Sequence, residues 1–170
     1  GRRDATDLPF VMRYRRGEGV MPEWRTEMKE IQIGTGRKLK DGKEVAILTI
    51  GHPGNFAAAA IRDVKAEGIN PAHYDMRFVK PLDEAMLHEV FGKYSKVITV
   101  EDGTVVGGFG TAVLEFMNQH GYKAEVKILG IPDRLVEHGT PKQLYDEIGI
   151  DANGIATALR AMVNVHVTVE

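Results

Sequence analysis

Residues 44–50 read E-V-A-I-L-T-I, a nearly unbroken apolar run rich in β-branched side chains. Such a run suits a strand buried on both faces, and strands of that kind belong to parallel sheets covered by helices on either side. The chain downstream keeps alternating between strand-like and helix-like segments. Gly51-His52-Pro53-Gly54 turns the chain, Asn55 is placed to cap a helix over 56–67, and Gly68 is its stop signal. Residues 73–79 predict a second strand ended by Pro81, and Asp83 is placed to cap a helix reaching 94. Residues 96–100 (K-V-I-T-V) predict a third strand, followed by a glycine-rich loop over 103–110 and a helix over 111–120. Residues 125–129 predict a fourth strand. Thr140 caps a helix to 148 with Pro141 in its first turn, and Asp151 caps a last helix to 163. This spacing predicts right-handed βαβ units: an α/β, three-layer fold with a mainly parallel sheet of about five strands and helices on both faces. The tail over 163–170 alternates V-N-V-H-V-T-V-E at period two, a strand signal at odds with a terminal helix. An added strand, a pairing edge and a disordered end are all compatible with it.

The start of the chain breaks this rhythm. Residues 8–14 form a short apolar run ending in charge, which reads as a strand. Gly17, Gly19 and Pro22 then interrupt it, and residues 18–30 are largely polar with Met21, Trp24 and Met28 as anchors. Three parts follow: residues 1–17 as the end of a preceding domain, 18–30 as a linker, and 31–170 as the α/β domain. A chain of 170 residues suits one such domain with some length to spare. The opening Gly1-Arg2-Arg3 reads as a processed start, because the next residues resemble the middle of a protein.

Composition excludes several function classes. The net charge is -2 with both signs interspersed, so no basic stripe calls for nucleic acid. The absence of cysteine removes disulfides, thiolate metal sites and a cysteine nucleophile, and it fits a reducing cytoplasm. No apolar run is long enough to span a bilayer, so no membrane partner is expected. The single serine, Ser95, begins a strand without an elbow motif, which argues against a hydrolase triad.

Four features carry possible chemistry. Arg13-Tyr14-Arg15-Arg16-Gly17 stands at a strand end, where a guanidinium fork could grip a phosphate; a solvated charge cluster beside a linker is the simpler account. In Asp75-Met76-Arg77-Phe78-Val79, strand alternation places Asp75, Arg77 and Val79 on one face, so Asp75 and Arg77 could pair at the sheet's carboxyl edge and order an interface. Glu101-Asp102-Gly103 and Gly107-Gly108-Phe109-Gly110 precede a helix, whose free N–H groups could meet an anion. The loop lacks both the Walker and the dinucleotide spacing, and close packing of helix on strand explains it as well. The histidines (52, 73, 88, 120, 138 and 166) show no metal-ligand spacing. His52 follows a strand directly, in a position able to face a cleft.

Taken in order, several motifs resemble one family. They are Arg13-Tyr14-x-Arg16-Gly17, Ile33-Gly34-x-Gly36, Asp75-Met76-Arg77-Phe78-Val79-Lys80-Pro81-Leu82-Asp83, Thr99-Val100-Glu101-Asp102, Gly107-Gly108-Phe109-Gly110 and Gly130-Ile131-Pro132-Asp133. Together, from Leu8 to Met162, they resemble the C-terminal region of the 1-deoxy-xylulose-5-phosphate synthases, transketolase-type enzymes that use thiamine diphosphate with Mg2+. The resemblance implies a transferase that condenses pyruvate with glyceraldehyde 3-phosphate, releasing CO2, for isoprenoid, thiamine and pyridoxal synthesis. It implies a homodimer of three-domain chains in which residues 1–17 end the pyrimidine-binding domain. Residues 31–170 would then form the transketolase C-terminal-like domain, with one antiparallel edge strand and a structural and interface role. The remaining domains of the same chain would hold the cofactor.

The Gly-Asp-Gly motif that supplies the family's metal-binding aspartate is absent here, since the Asp-Gly pairs read Lys40-Asp41-Gly42 and Glu101-Asp102-Gly103. The resemblance therefore implies no catalytic, metal or cofactor residue in this chain, no cofactor bound by it alone, and no activity of its own. It carries over one substrate contact, Arg16 to the substrate phosphate, with Arg15 standing where the family has proline. The alternatives are the C-terminal domain of a 2-oxoacid dehydrogenase E1 β subunit and a stand-alone interaction module.

Overall fold

The computed structural model describes residue 27 and residues 29–164. From Ile31 onward they form one compact unit. Its sheet has five strands in the order β1-β3-β2-β4-β5. These are β1 (Arg37–Lys40), β2 (Val45–Thr49), β3 (Ala72–Asp75), β4 (Lys96–Thr104) and β5 (Glu125–Ile131). The helices are α1 (Pro53–Asp63), α2 (Glu84–Lys93), α3 (Phe109–Gln119), α4 (Pro141–Glu147) and α5 (Ala152–Asn164), and a 3-10 turn (Val64–Glu67) extends α1. Pairs β2–β3, β2–β4 and β4–β5 are parallel, and β1 alone runs antiparallel, along β3.

The apolar run over 44–50 supplies β2, at the centre of the sheet. Val45 and Ile47 point into one core with Ile98, Val100, α1 and α5, around Ala57, Ile61, Ile155 and Leu159. Ala46 and Leu48 point into the other with Val97, Tyr74, α2 and α3, around Leu87, Phe91, Phe109 and Val113. All five β2 residues are buried, as period-two alternation between two apolar layers requires.

Several boundaries differ from the sequence expectation. Asn55 does not cap α1; the N-cap position is His52, whose side chain makes no capping hydrogen bond, and the helix starts at Pro53. Proline fixes φ and lacks the N–H that a first turn leaves unpaired, so it draws the start forward. Gly68, at φ 79, ends the 3-10 extension as expected. The strand read over 73–79 stops at Asp75. Met76 N–H still donates to Thr49 O at 2.8 Å, but Arg77 then adopts φ 58 and the chain leaves the sheet. β4 runs past Val100 to Thr104, because a register shift lets Thr104 pair with Ile131 after Glu101-Asp102-Gly103 bulge out. α5 continues through Val163 and Asn164, so no strand begins there; Val163 packs on the core that holds Leu159 and Met162, and packing overrides its β propensity. Residues 165–170 lie outside the described residues, as do the strand read over 8–14, Trp24 and nearly all of the linker.

Candidate functional site

The run Asp75–Asp83 carries the chain out of the sheet and into α2. Asp75 ends β3 with its side chain 17% exposed, and its Oδ2 lies 2.9 Å from Arg37 Nε and 4.0 Å from Arg77 Nε. The Arg77 backbone N–H donates to Asp75 Oδ1 at 3.3 Å. The expected Asp75–Arg77 pairing is present at long range, but it does not arise from strand alternation. Arg77 sits in the left-handed region, a conformation that costs a non-glycine residue roughly 1 kcal/mol or more. The Lys80–Pro81 peptide is cis, and a Cβ on Gly34 would meet Pro81 Cγ at 2.9 Å. Asp83 caps α2 as expected, accepting from Met86 N–H at 2.9 Å, and its other oxygen accepts from Gly36 N–H at 2.8 Å.

These turns wall a cleft of about 390 Å³ lined by Ile31, Arg37, Gly51, Asp75, Arg77 and Phe78. It opens beyond the carboxyl ends of β2 and β3, the side on which open α/β sheets place their ligands. Two guanidiniums face one carboxylate there, so one positive charge is left over and the cleft suits a small anion or a partner's carboxylate. Arg37 was not legible as a site residue, because R-K-L-K carries no strand pattern.

The glycine-rich loop resolves in favour of close packing. Glu101, 4% exposed, folds under the start of α3. Its Oε2 accepts from Phe109 N–H and its Oε1 from Gly110 N–H, both at 2.9 Å. The N-terminus of α3 therefore already holds an anion, supplied by the strand before it. A Cβ on Gly110 would lie 2.6 Å from both Thr99 Oγ1 and Ile128 Cγ2, which is why only glycine fits. The sequence did carry a signal for this. Gly108 at the N-cap offers no side-chain acceptor, so the acceptor has to come from elsewhere, and Glu101 follows a buried strand eight residues before Phe109.

At the ends of β2 and β4, the His52 ring packs edge-on against Phe56 at 4.8 Å and lies 6.3 Å from Tyr145, whose hydroxyl donates to Asp102 Oδ2 at 3.0 Å. His73 is buried within β3, and its Nε2 lies 3.0 Å from Thr49 Oγ1. Burial lowers its pKa to about 4, against the opposing charge of Asp75. Glu89 on α2 is held down to about 2 by hydrogen bonds from Lys38 and then Lys93. His138 is exposed between β5 and α4. Arg16, with Arg13 and Arg15, lies outside the described residues.

Tested against thiamine diphosphate and magnesium, these residues do not fit. Among the described residues no group of three or more His, Asp or Glu could hold a metal ion. The glycine-rich start of α3, which would otherwise suit a diphosphate, is filled by Glu101. No helix among the described residues is long and apolar enough to cross a membrane.

Comparison with known proteins supplies the family. Residues 34–155 match the family described as "Transketolase, C-terminal domain". The chain is 57% identical over 152 residues to a protein from Cytophaga hutchinsonii named 1-deoxy-D-xylulose-5-phosphate synthase, covering 89% of this chain and 24% of that one. A protein of the same name from Parabacteroides distasonis is 52% identical over 156 residues, covering 92% and 25%. The chain thus spans about a quarter of the length of these relatives. A solved structure described as "Split gene transketolase, inactive beta4 tetramer" superposes with a TM-score of 0.76 at 30% identity, over 85% of this chain and 47% of that one. With its mainly parallel five-stranded sheet, the match over 34–155 means that the chain belongs to the transketolase C-terminal domain family.

Proposed function

We propose that this chain is the C-terminal part of a 1-deoxy-D-xylulose-5-phosphate synthase, where it serves as a structural and interface domain. The observation that carries this is the 57% identity over 152 residues to the Cytophaga hutchinsonii protein of that name. The parent enzyme is a cytoplasmic homodimer that condenses pyruvate with glyceraldehyde 3-phosphate, losing CO2, for isoprenoid and thiamine synthesis. Thiamine diphosphate and Mg2+ are held by its other domains. Residues 1–17 close the pyrimidine-binding domain and 18–30 link it to the domain over 31–170. A supporting role fits the described residues, whose buried carboxylate Glu101 is committed to capping a helix. The isolated chain is inactive and binds no cofactor. Calorimetric titration with thiamine diphosphate and magnesium shows no binding if this is right, and micromolar affinity would overturn it.

Arg16 is the residue of this chain that touches substrate, through the phosphate of glyceraldehyde 3-phosphate. A charge-assisted pair of this kind contributes roughly 1.5–3 kcal/mol. Arg16→Ala in the full-length enzyme therefore lowers kcat/KM for the phosphorylated acceptor by about ten- to a hundredfold. Arg16→Lys restores little, because a point charge cannot reproduce the fork. Arg13→Ala does less, since residues three apart in an extended strand point to opposite faces. Unphosphorylated glyceraldehyde is the control. An equal loss with both acceptors would remove Arg16 from the phosphate site.

A further inference from the structure

We propose that a second cleft, between β1, α1 and the 3-10 turn, is a binding site for a small organic anion that joins an apolar body to a carboxylate or phosphate. The cleft shares no lining residue with the one at the strand carboxyl ends. It lies beside the segment that leads into β3, and its volume of about 330 Å³ falls at the lower end of small-molecule pockets. Leu39, Ile61 and Ile69 give it an apolar lining, and Lys40, Arg62 and Lys65 its cations.

Charge argues for the head group. Among the described residues neither Arg62 nor Lys65 has an ion-pair partner. The acidic residues nearby are turned elsewhere. Glu67 receives two hydrogen bonds from Arg160, at 2.7 and 2.8 Å, and Arg160 also feels the charge of Asp63. Asp41 pairs with Lys38 at 3.1 Å. Lys40 Nζ donates only to neutral acceptors: Asn70 Oδ1, and the backbone oxygens of Asp41 and Pro71 at 3.0 Å. Its pKa is lowered by burial and then by Lys65, so two cations share a field with Asp41 as the opposing charge. An anion seated among Lys40, Arg62 and Lys65 would relieve that repulsion and gain charge-assisted hydrogen bonds.

The floor argues for the apolar body. His73 lines the cleft, and burial keeps it neutral near pH 7. The Thr49 hydroxyl donates to Tyr74 O at 3.2 Å, so its Oγ1 accepts from His73 Nε2–H. The ring is thereby held in place as an uncharged wall of the cleft, beside Ile61 and Ile69. Any bound molecule would bias β3 two residues before Asp75 of the first cleft.

The test is an amide chemical-shift titration of the whole 170-residue chain with phenyl phosphate and with phenylacetate. Inorganic phosphate and benzyl alcohol are the controls. Saturable shifts over 61–69 and at His73, with at least one aryl anion binding about tenfold tighter than either control, are the expected result. The tighter of the two anions identifies the head group. The double substitution R62Q/K65Q, at exposed positions, should weaken that binding by about tenfold without altering the rest of the spectrum. The proposal fails if neither anion gives saturable shifts there. It also fails if inorganic phosphate or benzyl alcohol binds as tightly, or if the double substitution leaves affinity unchanged.

Discussion

The carboxyl ends of β3 and β4 lie on either side of β2, and each carries a carboxylate that the chain uses in an opposite way. Asp75 stays at the surface of an open cleft, facing Arg37 and Arg77. Glu101 turns inward and binds the first two N–H groups of α3. A helix start is a ready anion site by virtue of its unpaired N–H groups and dipole. Once the chain supplies its own carboxylate, that site is closed to ligands, and the glycines around it serve packing. Guanidiniums in excess over carboxylate leave the other end open. What distinguishes a ligand site from a structural one here is whether the local charge is already neutralised, more than the motif that marks it.

Removing Glu101 is the strongest way to break this contrast. Glu101→Ala strands two buried N–H donors and empties the space beside Gly103 and Gly108, so a loss of about 3–5 kcal/mol is expected in urea unfolding. A loss below about 1 kcal/mol would mean that the carboxylate is no internal cap.

The next effect belongs to β3. His73 has a folded pKa of about 4 against 6.5 in the unfolded chain. Between those values the unfolded state binds the extra proton, so stability is full above pH 6.5 and falls as pH drops toward 4, by about 3 kcal/mol in all. Asp75 opposes the shift, while Arg37 and Lys40 reinforce it. Unfolding free energies measured across this range should show the slope, and His73→Gln should flatten it. An unchanged slope in the variant would assign it to other groups.

The smallest effect compares the two threonines behind these ends. Thr49 Oγ1 is engaged by His73 and Tyr74 O, whereas the buried Thr99 Oγ1 has no partner among the described residues. Thr49→Val should cost about 1–2 kcal/mol, and Thr99→Val should be neutral or stabilising by up to about 1 kcal/mol. Equal costs from thermal unfolding would erase the distinction.

The layered fold was legible because β2 and the first half of β4 are buried on both faces, and continuous apolar runs have few other uses. Caps with side-chain acceptors were legible too. Asp83 caps α2, and Thr140 forms a reciprocal box with Gln143 at the start of α4. β1 was invisible to residue patterns because an edge strand of Arg, Lys, Leu and Lys needs no apolar alternation; its charges instead discourage edge-to-edge pairing. Only family resemblance implied it. The length of β3 was overread because nothing in M-R-F-V announces a left-handed arginine. The missing acceptor at Gly108 was readable, but that Glu101 supplies it depends on a bulge and a loop closing in three dimensions. Of the candidate site, Asp75 and Arg77 were legible as a pair, and Arg37 was not.

The double role of Asp83 has a kinetic consequence. Its carboxylate spans 47 positions to Gly36 while holding the first turn of α2, so the edge strand's approach and the helix's beginning share one anchor. β1 contributes no buried residue and, among the described residues, pairs only with β3. Fraying of the α2 first turn and release of β1 should therefore be a single opening event, with matched hydrogen-exchange protection at Met86 and in the edge strand. A helix cap in this way also guards the open margin of the sheet against pairing with a stranger.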